Sequence, residues 1–179
     1  PEHGVTELSA GLVVDAGGRG SRATTWLKQI GVDPEEHTLD ARVRYASRWY
    51  RWPDETTSWW KWLTVFPDVE PDAPDEKQYL CSIFPVEDNC FIAVMGSWGL
   101  PMPSNADEFH DAARRFRTPE FARLIDAAEP LGDVHRTGST LNFWKRFDRL
   151  DSPPAGFIAV GDAVSAFNPI YAQGMTSAA

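Results

Sequence analysis

A carboxylate near the end of the chain lies where a ligand-binding loop is expected. Asp162 follows Gly161 directly after an apolar run, 156–160, that predicts a buried strand. Open α/β sheets bind ligands beyond the carboxyl ends of their strands. Residues 173–175, Gln-Gly-Met, precede small helix-forming residues and predict a helix start, whose first N–H groups lack partners within the helix. These groups suit a ligand that carries hydroxyl groups and a negative charge. The alternative is an ordinary turn in which Asp162 caps a helix.

The run 161–175 resembles the second flavin-contacting motif of the FAD-dependent monooxygenase superfamily that contains aromatic hydroxylases and squalene-epoxidase-like enzymes. In that pattern Gly-Asp-Ala is followed by a proline and then by Gly-Gln-Gly-Met or a near variant. The matching positions are Gly161, Asp162, Ala163, Pro169, Gln173, Gly174 and Met175. Ala172 stands where the family usually has glycine. The resemblance implies that these residues bind FAD, with Asp162 on the ribityl chain and the amides of 173–175 at the pyrimidine edge of the isoalloxazine ring.

A second candidate cofactor segment lies near the start of the chain. The apolar run that begins at Leu12 predicts a strand, Gly17 and Gly18 form a glycine-rich turn, and 24–30 has helical composition. Glycines at such a turn let the backbone approach a phosphate or an adenosine closely, although many glycine-rich turns are purely structural. The family resemblance implies that Gly17 and Gly18 lie near the FAD pyrophosphate. Gly17 replaces an aspartate that many aromatic hydroxylases use here, so their NADPH-binding role is not transferred.

The predicted fold class is α/β, with an α+β insert. We expect 1–36 to be part of a glutathione-reductase-like FAD-binding domain and 141–179 to return to it with the Gly-Asp motif. Segment 37–140 is predicted to be a substrate domain with an antiparallel or mixed sheet. Its predicted strands are 41–50, 58–66, 78–84 and 90–97. Two predicted helices follow, one capped at Ser104 and Asp107 and one starting at Thr118-Pro119-Glu120.

Two sequence features predict that the chain is an internal fragment of a longer flavoprotein. No Gly-x-Gly-x-x-Gly turn precedes Leu12, and the chain opens without methionine. Such a fragment is expected to retain little or no FAD by itself, because the adenosine half of the site would be absent.

The composition of the chain limits the kinds of molecule that it is expected to bind. The net charge is −9, which opposes binding to nucleic acid or to an anionic membrane, and no apolar run approaches the roughly twenty residues of a membrane span.

Cys81 and Cys90 are predicted to be reduced thiols at different heights of a hairpin, which favours a reducing, cytoplasmic compartment. The four histidines lack metal-ligand spacing, so no metal is predicted. Lys145, Arg146 and Arg149 are expected to be solvent exposed.

The function implied by the resemblance is an FAD-dependent monooxygenase. It would use NAD(P)H and O2, through a flavin hydroperoxide, to hydroxylate or epoxidise a small molecule. The chain has eight tryptophans, and six of them lie in 37–140, which favours an apolar or aromatic substrate, although most could fill an ordinary core. The alternatives are a prenyl-chain reductase or halogenase of the same fold, or a structural remnant without a cofactor. No catalytic residue and no oligomeric state can be assigned from the sequence.

Overall fold

The computed structural model describes residues 7–54, 60–67, 79–138 and 140–178. The chain divides into two compact units, one formed by Pro1–Asp40 with Leu141–Ala179 and the other by Ala41–Thr140. The strands and α-helices are, in chain order, β1 (Val13–Asp15), α1 (Ala23–Gln29), β2 (Glu36–Leu39), β3 (Val43–Arg51), β4 (Leu63–Val65), β5 (Tyr79–Val86), β6 (Cys90–Trp98), α2 (Ala106–Ala113), α3 (Glu120–Ala127), β7 (Glu129–Pro130), β8 (His135–Thr137), β9 (Asn142–Lys145), β10 (Phe157–Ala159), β11 (Ser165–Ala166) and α4 (Gly174–Ala178). Short 3₁₀ turns include Gly18–Gly20, Phe147–Arg149, Gly161–Ala163 and Pro169–Tyr171.

The first unit contains a parallel pair of strands. β1 pairs with β10 in parallel, with Val13 opposite Phe157, and α1 ends before Gly31, whose φ of +82° suits glycine at a helix C-terminus. The strand predicted at 156–160 is therefore present, but it is not buried. Val14 and Ile158 are about half exposed, because no further strand flanks this pair within the described residues.

A second sheet of the first unit is antiparallel, in the order β11-β9-β2. His37 and Ser165 both lie opposite Trp144, and Thr38 lies opposite Phe143. Because side chains alternate across a strand, one face carries His37, Leu39, Asn142, Trp144 and Ser165. The other face carries Thr38, Phe143, Lys145 and Ala166, of which Lys145 and Ala166 are buried.

The second unit is a six-stranded antiparallel sheet packed on two helices. Its order is β4-β5-β6-β3-β7, with β8 also paired to β3. The largest buried side chains include Tyr50 and Phe91, whose rings stack at 5.3 Å, and Phe109 and Phe121 from the two helices. The apolar face of α3 lies in this core, where Phe121 is buried together with Leu124 and Ile125.

The hairpin β5–β6 confirms the predicted thiol state. Asp88 and Asn89 form its turn with φ of +58° and +56°, a conformation that these two residue types tolerate. Cys81 lies opposite Met95 and Cys90 lies opposite Val86, so the two sulfurs are far apart along the ladder. Both are free and buried thiols, and burial raises the pKa of Cys81 to about 12.

Two local predictions are corrected. α2 is capped one residue later than expected, because the Oδ1 of Asn105 accepts a hydrogen bond from the N–H of Glu108 at 3.0 Å. Glu108 in turn accepts hydrogen bonds from the N–H and the hydroxyl of Ser104, at 2.7 and 2.9 Å.

The strand predicted at 58–66 is observed only at Leu63–Val65, and residues 58 and 59 lie outside the described residues. Trp62, which precedes this strand, is exposed, and so its ring contributes little burial.

Candidate functional site

The two segments singled out from the sequence meet in the first unit. Because β1 and β10 run in parallel, the turns that follow them lie at the same end of the pair. The N–H of Val160 donates to the carbonyl of Asp15 at 3.0 Å. Beyond that point the Nε of Arg19 lies 4.0 Å from the Oδ2 of Asp162. The structure therefore brings the predicted glycine-rich turn and the predicted Gly-Asp motif together.

The local structure of the first turn favours glycine at both of its glycine positions. The buried carboxylate of Asp15 accepts a hydrogen bond from the N–H of Gly17 at 2.9 Å and another from the hydroxyl of Ser21. A Cβ at Gly17 would lie 2.9 Å from the Oδ1 of Asp15, which is closer than real Cβ contacts. Gly18 has a φ of +60°, where side chains are strained. The turn is thus tightly folded around Asp15, a residue that the sequence patterns did not single out.

Asp162 lies in a 3₁₀ turn opened by Gly161, which has a φ of +57°. The side chain of Asp162 is 42% exposed. Within the described chain its carboxylate forms only the 4.0 Å ion pair with Arg19 and accepts no hydrogen bond. Its oxygens are therefore available to accept hydrogen bonds from ligand hydroxyl groups.

Arg19 connects the loops of this site and was missed by the sequence patterns. Its two terminal nitrogens donate to the carbonyl oxygens of Leu141 at 2.7 Å and Phe167 at 2.6 Å. Its guanidinium also lies 5.9 Å from the centre of the Phe143 ring. A guanidinium with several donors in a fixed fork can fix several segments at once. In the sequence, the one feature that could have indicated this role of Arg19 is its position as a cation inside a glycine-rich turn.

The loop after Asp162 presents unpaired N–H groups. Asn168 is buried, and its Oδ1 accepts a hydrogen bond from the N–H of Ile170 at 3.0 Å. Pro169 then starts a 3₁₀ turn that ends at Ala172, whose φ of +51° and ψ of +26° are left-handed. α4 begins at Gly174, as predicted. In the part of the chain that the structure describes, the N–H groups of 173–175 donate no hydrogen bond, and the side chain of Met175 is exposed.

Lys145 corrects an expectation from the sequence. It was expected to be solvated, yet it is only 6% exposed. Its N–H donates to the carbonyl of Val164 at 2.8 Å, so it lies beside the Gly-Asp loop. Its Nζ lies 5.3 Å from the centre of the Phe143 ring. Arg146, its neighbour, was also expected to be exposed, but it covers the ring of Trp144 at 4.0 Å and its side chain is only 11% exposed.

A cleft of about 520 Å³ lies along the β11-β9-β2 sheet, mainly on the face that carries His37 and Trp144. Leu39, Trp144 and Phe167 line it together with His37 and Asn142. Its volume is in the range of small-molecule sites, and its lining mixes aromatic rings with a few polar groups.

The sheet of the second unit also has an exposed apolar face. Trp49 is 43% exposed, Phe84 is similarly exposed, and both lie opposite Ile92. Trp62 lies 5.9 Å from Phe84 between ring centres. Among the other tryptophans Trp60 is buried, whereas Trp59 lies outside the described residues. The aromatic side chains of this unit are therefore divided between its core and its surface.

The described residues contain neither a membrane-spanning helix nor a metal-binding cluster. No helix in the described ranges is long and apolar enough to cross a membrane. The described residues hold no group of three or more His, Cys, Asp or Glu side chains arranged to bind a metal.

Comparisons with known proteins define the class of fold. No family model matches the chain. A triple mutant of the flavin-dependent brominase Bmp2 has a TM-score of 0.63 at 16% identity, over 96% of this chain and 41% of that protein. Klebsiella pneumoniae HpxO complexed with FAD and uric acid has a TM-score of 0.59 at 16% identity, over 93% and 39%. The chain thus has the mixed α/β fold of part of the flavin-dependent halogenases and FAD-dependent monooxygenases, and the resemblance predicted from the sequence is confirmed at the level of the fold.

A relative in sequence is Protein Rv3254 of Mycobacterium tuberculosis (strain ATCC 25618 / H37Rv). It is 32% identical over 171 residues, which cover 94% of this chain and 35% of the relative. The chain therefore spans about a third of the length of this curated relative.

Proposed function

We propose that this chain is part of an FAD-dependent monooxygenase. The observation that carries the proposal is the meeting of the two loops at one end of the β1–β10 pair, where Arg19 lies beside Asp162. The residues proposed to bind FAD are Gly17, Gly18, Gly161, Asp162, Pro169, Gln173, Gly174 and Met175. In this proposal the first unit is part of a glutathione-reductase-like FAD-binding domain, and the second is the inserted substrate domain.

The donors and acceptors at this site fit FAD. Asp162 has a carboxylate without a hydrogen-bond donor in the described chain, and the ribityl chain offers hydroxyl groups. The N–H groups of 173–175 are free to donate to the carbonyl and nitrogen atoms of the isoalloxazine edge. Gly17 and Gly18 allow the backbone to come close to a diphosphate. The bound cofactor would supply the redox chemistry, and this chain's residues would hold and orient it.

The proposed reaction is hydroxylation or epoxidation of an apolar or aromatic small molecule, with NAD(P)H and O2 as co-substrates. The substrate class is supported by the exposed face of the second unit's sheet, where Trp49 and Phe84 flank Ile92. Rigid aromatic side chains provide a large apolar contact area at low entropic cost. HpxO, which shares the fold, has been solved with FAD and uric acid, a small planar molecule.

A halogenase is the second candidate, because the brominase Bmp2 shares the fold at a TM-score of 0.61. The two candidates differ in the product. With the intact protein, FAD, NAD(P)H and O2, a monooxygenase adds an oxygen atom to its substrate with or without bromide. A halogenase forms a brominated product only when bromide is present, and a prenyl-chain reductase reduces its substrate without consuming O2. Mass spectrometry of the product and an oxygen electrode distinguish all three.

Asp162→Ala in the intact protein tests the proposed cofactor site. We expect FAD affinity to fall by about 10- to 100-fold, since hydrogen bonds that involve a charged group contribute roughly 1.5–3 kcal/mol. The measurement is a titration of apoprotein with FAD, followed by flavin fluorescence. Asp151→Ala, in an exposed loop of the same unit, is the matched control and is expected to bind FAD as the wild type does. Equal affinities of Asp162→Ala and wild type would remove the role assigned to Asp162.

A further inference from the structure

Lys145 is a buried cation without a partner. It lies on β9 and is 6% exposed, and its ammonium group forms no hydrogen bond or ion pair within the described chain. Burying a charge without a partner is strongly unfavourable, and removing its partner from a buried pair costs several kcal/mol. The 5.3 Å contact with the Phe143 ring offsets only part of this cost.

A second cation lies beside the aromatic neighbour of Lys145, and the nearby acidic side chains do not pair with Lys145. Arg19 lies 5.9 Å from the same Phe143 ring, and so two cations share one aromatic neighbour. Glu36 lies opposite Lys145 in the β2–β9 register, yet it is exposed and forms no ion pair with it. Asp162 is 4.0 Å from Arg19, and no ion pair joins Lys145 to a carboxylate of the described residues.

The position of Lys145 connects it to the proposed cofactor site. Its backbone N–H bonds the carbonyl of Val164, two residues after Asp162. Its side chain projects from the face of β9 that also carries Phe143, against which Arg19 packs. The Phe143 ring is therefore a shared neighbour of the Lys145 ammonium group and of Arg19, which pairs with Asp162.

We infer that Lys145 is the counter-cation for an anionic group of the bound cofactor. This inference rests on the proposed function. FAD carries two candidate groups, the diphosphate and the ring, which becomes negatively charged on reduction. Both would place a negative charge beside a cation that the protein leaves unpaired. The experiments below separate these two groups.

The first experiment compares stability with and without cofactor. Lys145→Met keeps the length of the side chain and removes its charge. In the intact apoprotein it should leave the thermal midpoint unchanged or raise it, because an unpaired buried charge is lost. The increase in midpoint that FAD produces in the wild type should become smaller, since ligand stabilisation follows affinity. Lys145→Arg should restore most of that increase. Lys28→Met, which removes an exposed ion pair with Asp33, should leave it as in the wild type.

The second experiment distinguishes the two anions. If Lys145 pairs with the diphosphate, Lys145→Met weakens binding of oxidised FAD by about 10- to 100-fold. If it pairs with the reduced ring, oxidised FAD binds as in the wild type, but the midpoint potential of the bound flavin falls, because the reduced form loses a favourable charge. Titration of apoprotein and reductive titration of the holoprotein give the two readouts.

Two results would overturn the inference. One is a Lys145→Met protein with unchanged FAD affinity and unchanged midpoint potential. The other is an apoprotein destabilised by Lys145→Met as strongly as the holoprotein, which would mean that a protein carboxylate is the partner. Neither result affects the proposed function, which fails separately if the wild-type protein binds no FAD.

Discussion

At the residue scale, backbone conformation explains which positions accept only certain side chains. Gly161 and Gly18 have positive φ, and Gly17 is crowded by the carboxylate of Asp15. Ala172 has the same left-handed backbone although it carries a Cβ. The family resemblance places a glycine at this position, and the φ of +51° gives the physical reason.

Ala172→Gly is therefore expected to stabilise the intact protein slightly. A non-glycine residue in the left-handed region destabilises the folded state by roughly 1–2 kcal/mol. Glycine removes this strain, but its greater freedom in the unfolded chain offsets about 0.4–1 kcal/mol of the gain in stability. The free energy of unfolding, measured by urea denaturation, should therefore rise by about 0 to 1.6 kcal/mol. Ala178→Gly, within α4, is the control and should be destabilising. A loss of stability as large as that of Ala178→Gly would contradict this explanation.

At the element scale, helices, strands and hairpins could be predicted from local sequence patterns, whereas site residues that depend on long-range contacts could not. The strand β10, the helix α3 and the β5–β6 hairpin were predicted because each depends on residues close in sequence, such as the turn at Asp88 and Asn89. Arg19 and Lys145 were not found as site residues. The bond from Arg19 to Phe167 spans 148 residues, and no periodic pattern records such a contact. Lys145 is followed in the sequence by the charged residues Arg146, Asp148 and Arg149, a pattern that predicts solvent exposure rather than the observed burial.

The cap of α2 gives a pH-dependent prediction. Hydrogen bonds from the backbone and the hydroxyl of Ser104 hold the pKa of Glu108 below its usual value of 4.5. Because the pKa is lowered in the folded state, the stabilisation is complete above the unfolded-state pKa and disappears as the pH falls through the folded-state pKa. Glu108→Gln should therefore lower the thermal midpoint of the intact protein at pH 7 and have little effect at about pH 2–3.

A matched variant makes this measurement specific. Glu87→Gln, at the exposed turn before β6, removes a carboxylate of the same type without a helix cap and should leave the midpoint unchanged at both pH values. A Glu108→Gln protein whose midpoint differs from wild type equally at pH 7 and at pH 2–3 would show that the ionised carboxylate does not stabilise the cap.

At the scale of the whole molecule, the two compact units carry different kinds of chemical group. The first unit brings together the glycine-rich turn, Asp162 and the free N–H groups of 173–175. The second unit carries the sheet with exposed aromatic side chains. The fold class could be predicted from the sequence because the Gly-Asp run resembled a known motif. The roles of the three segments, 1–36, 37–140 and 141–179, stay predictions, as does the fragment assignment.

The proposed function depends on one property, the binding of FAD at the junction of the two loops. The direct measurement is the flavin content and FAD affinity of the intact protein that is proposed to contain this chain. We predict one FAD per chain, with flavin absorbance in the blue and near ultraviolet, and an affinity that falls in Asp162→Ala but not in Asp151→Ala. A colourless intact protein that takes up no FAD in a saturating titration would contradict the account.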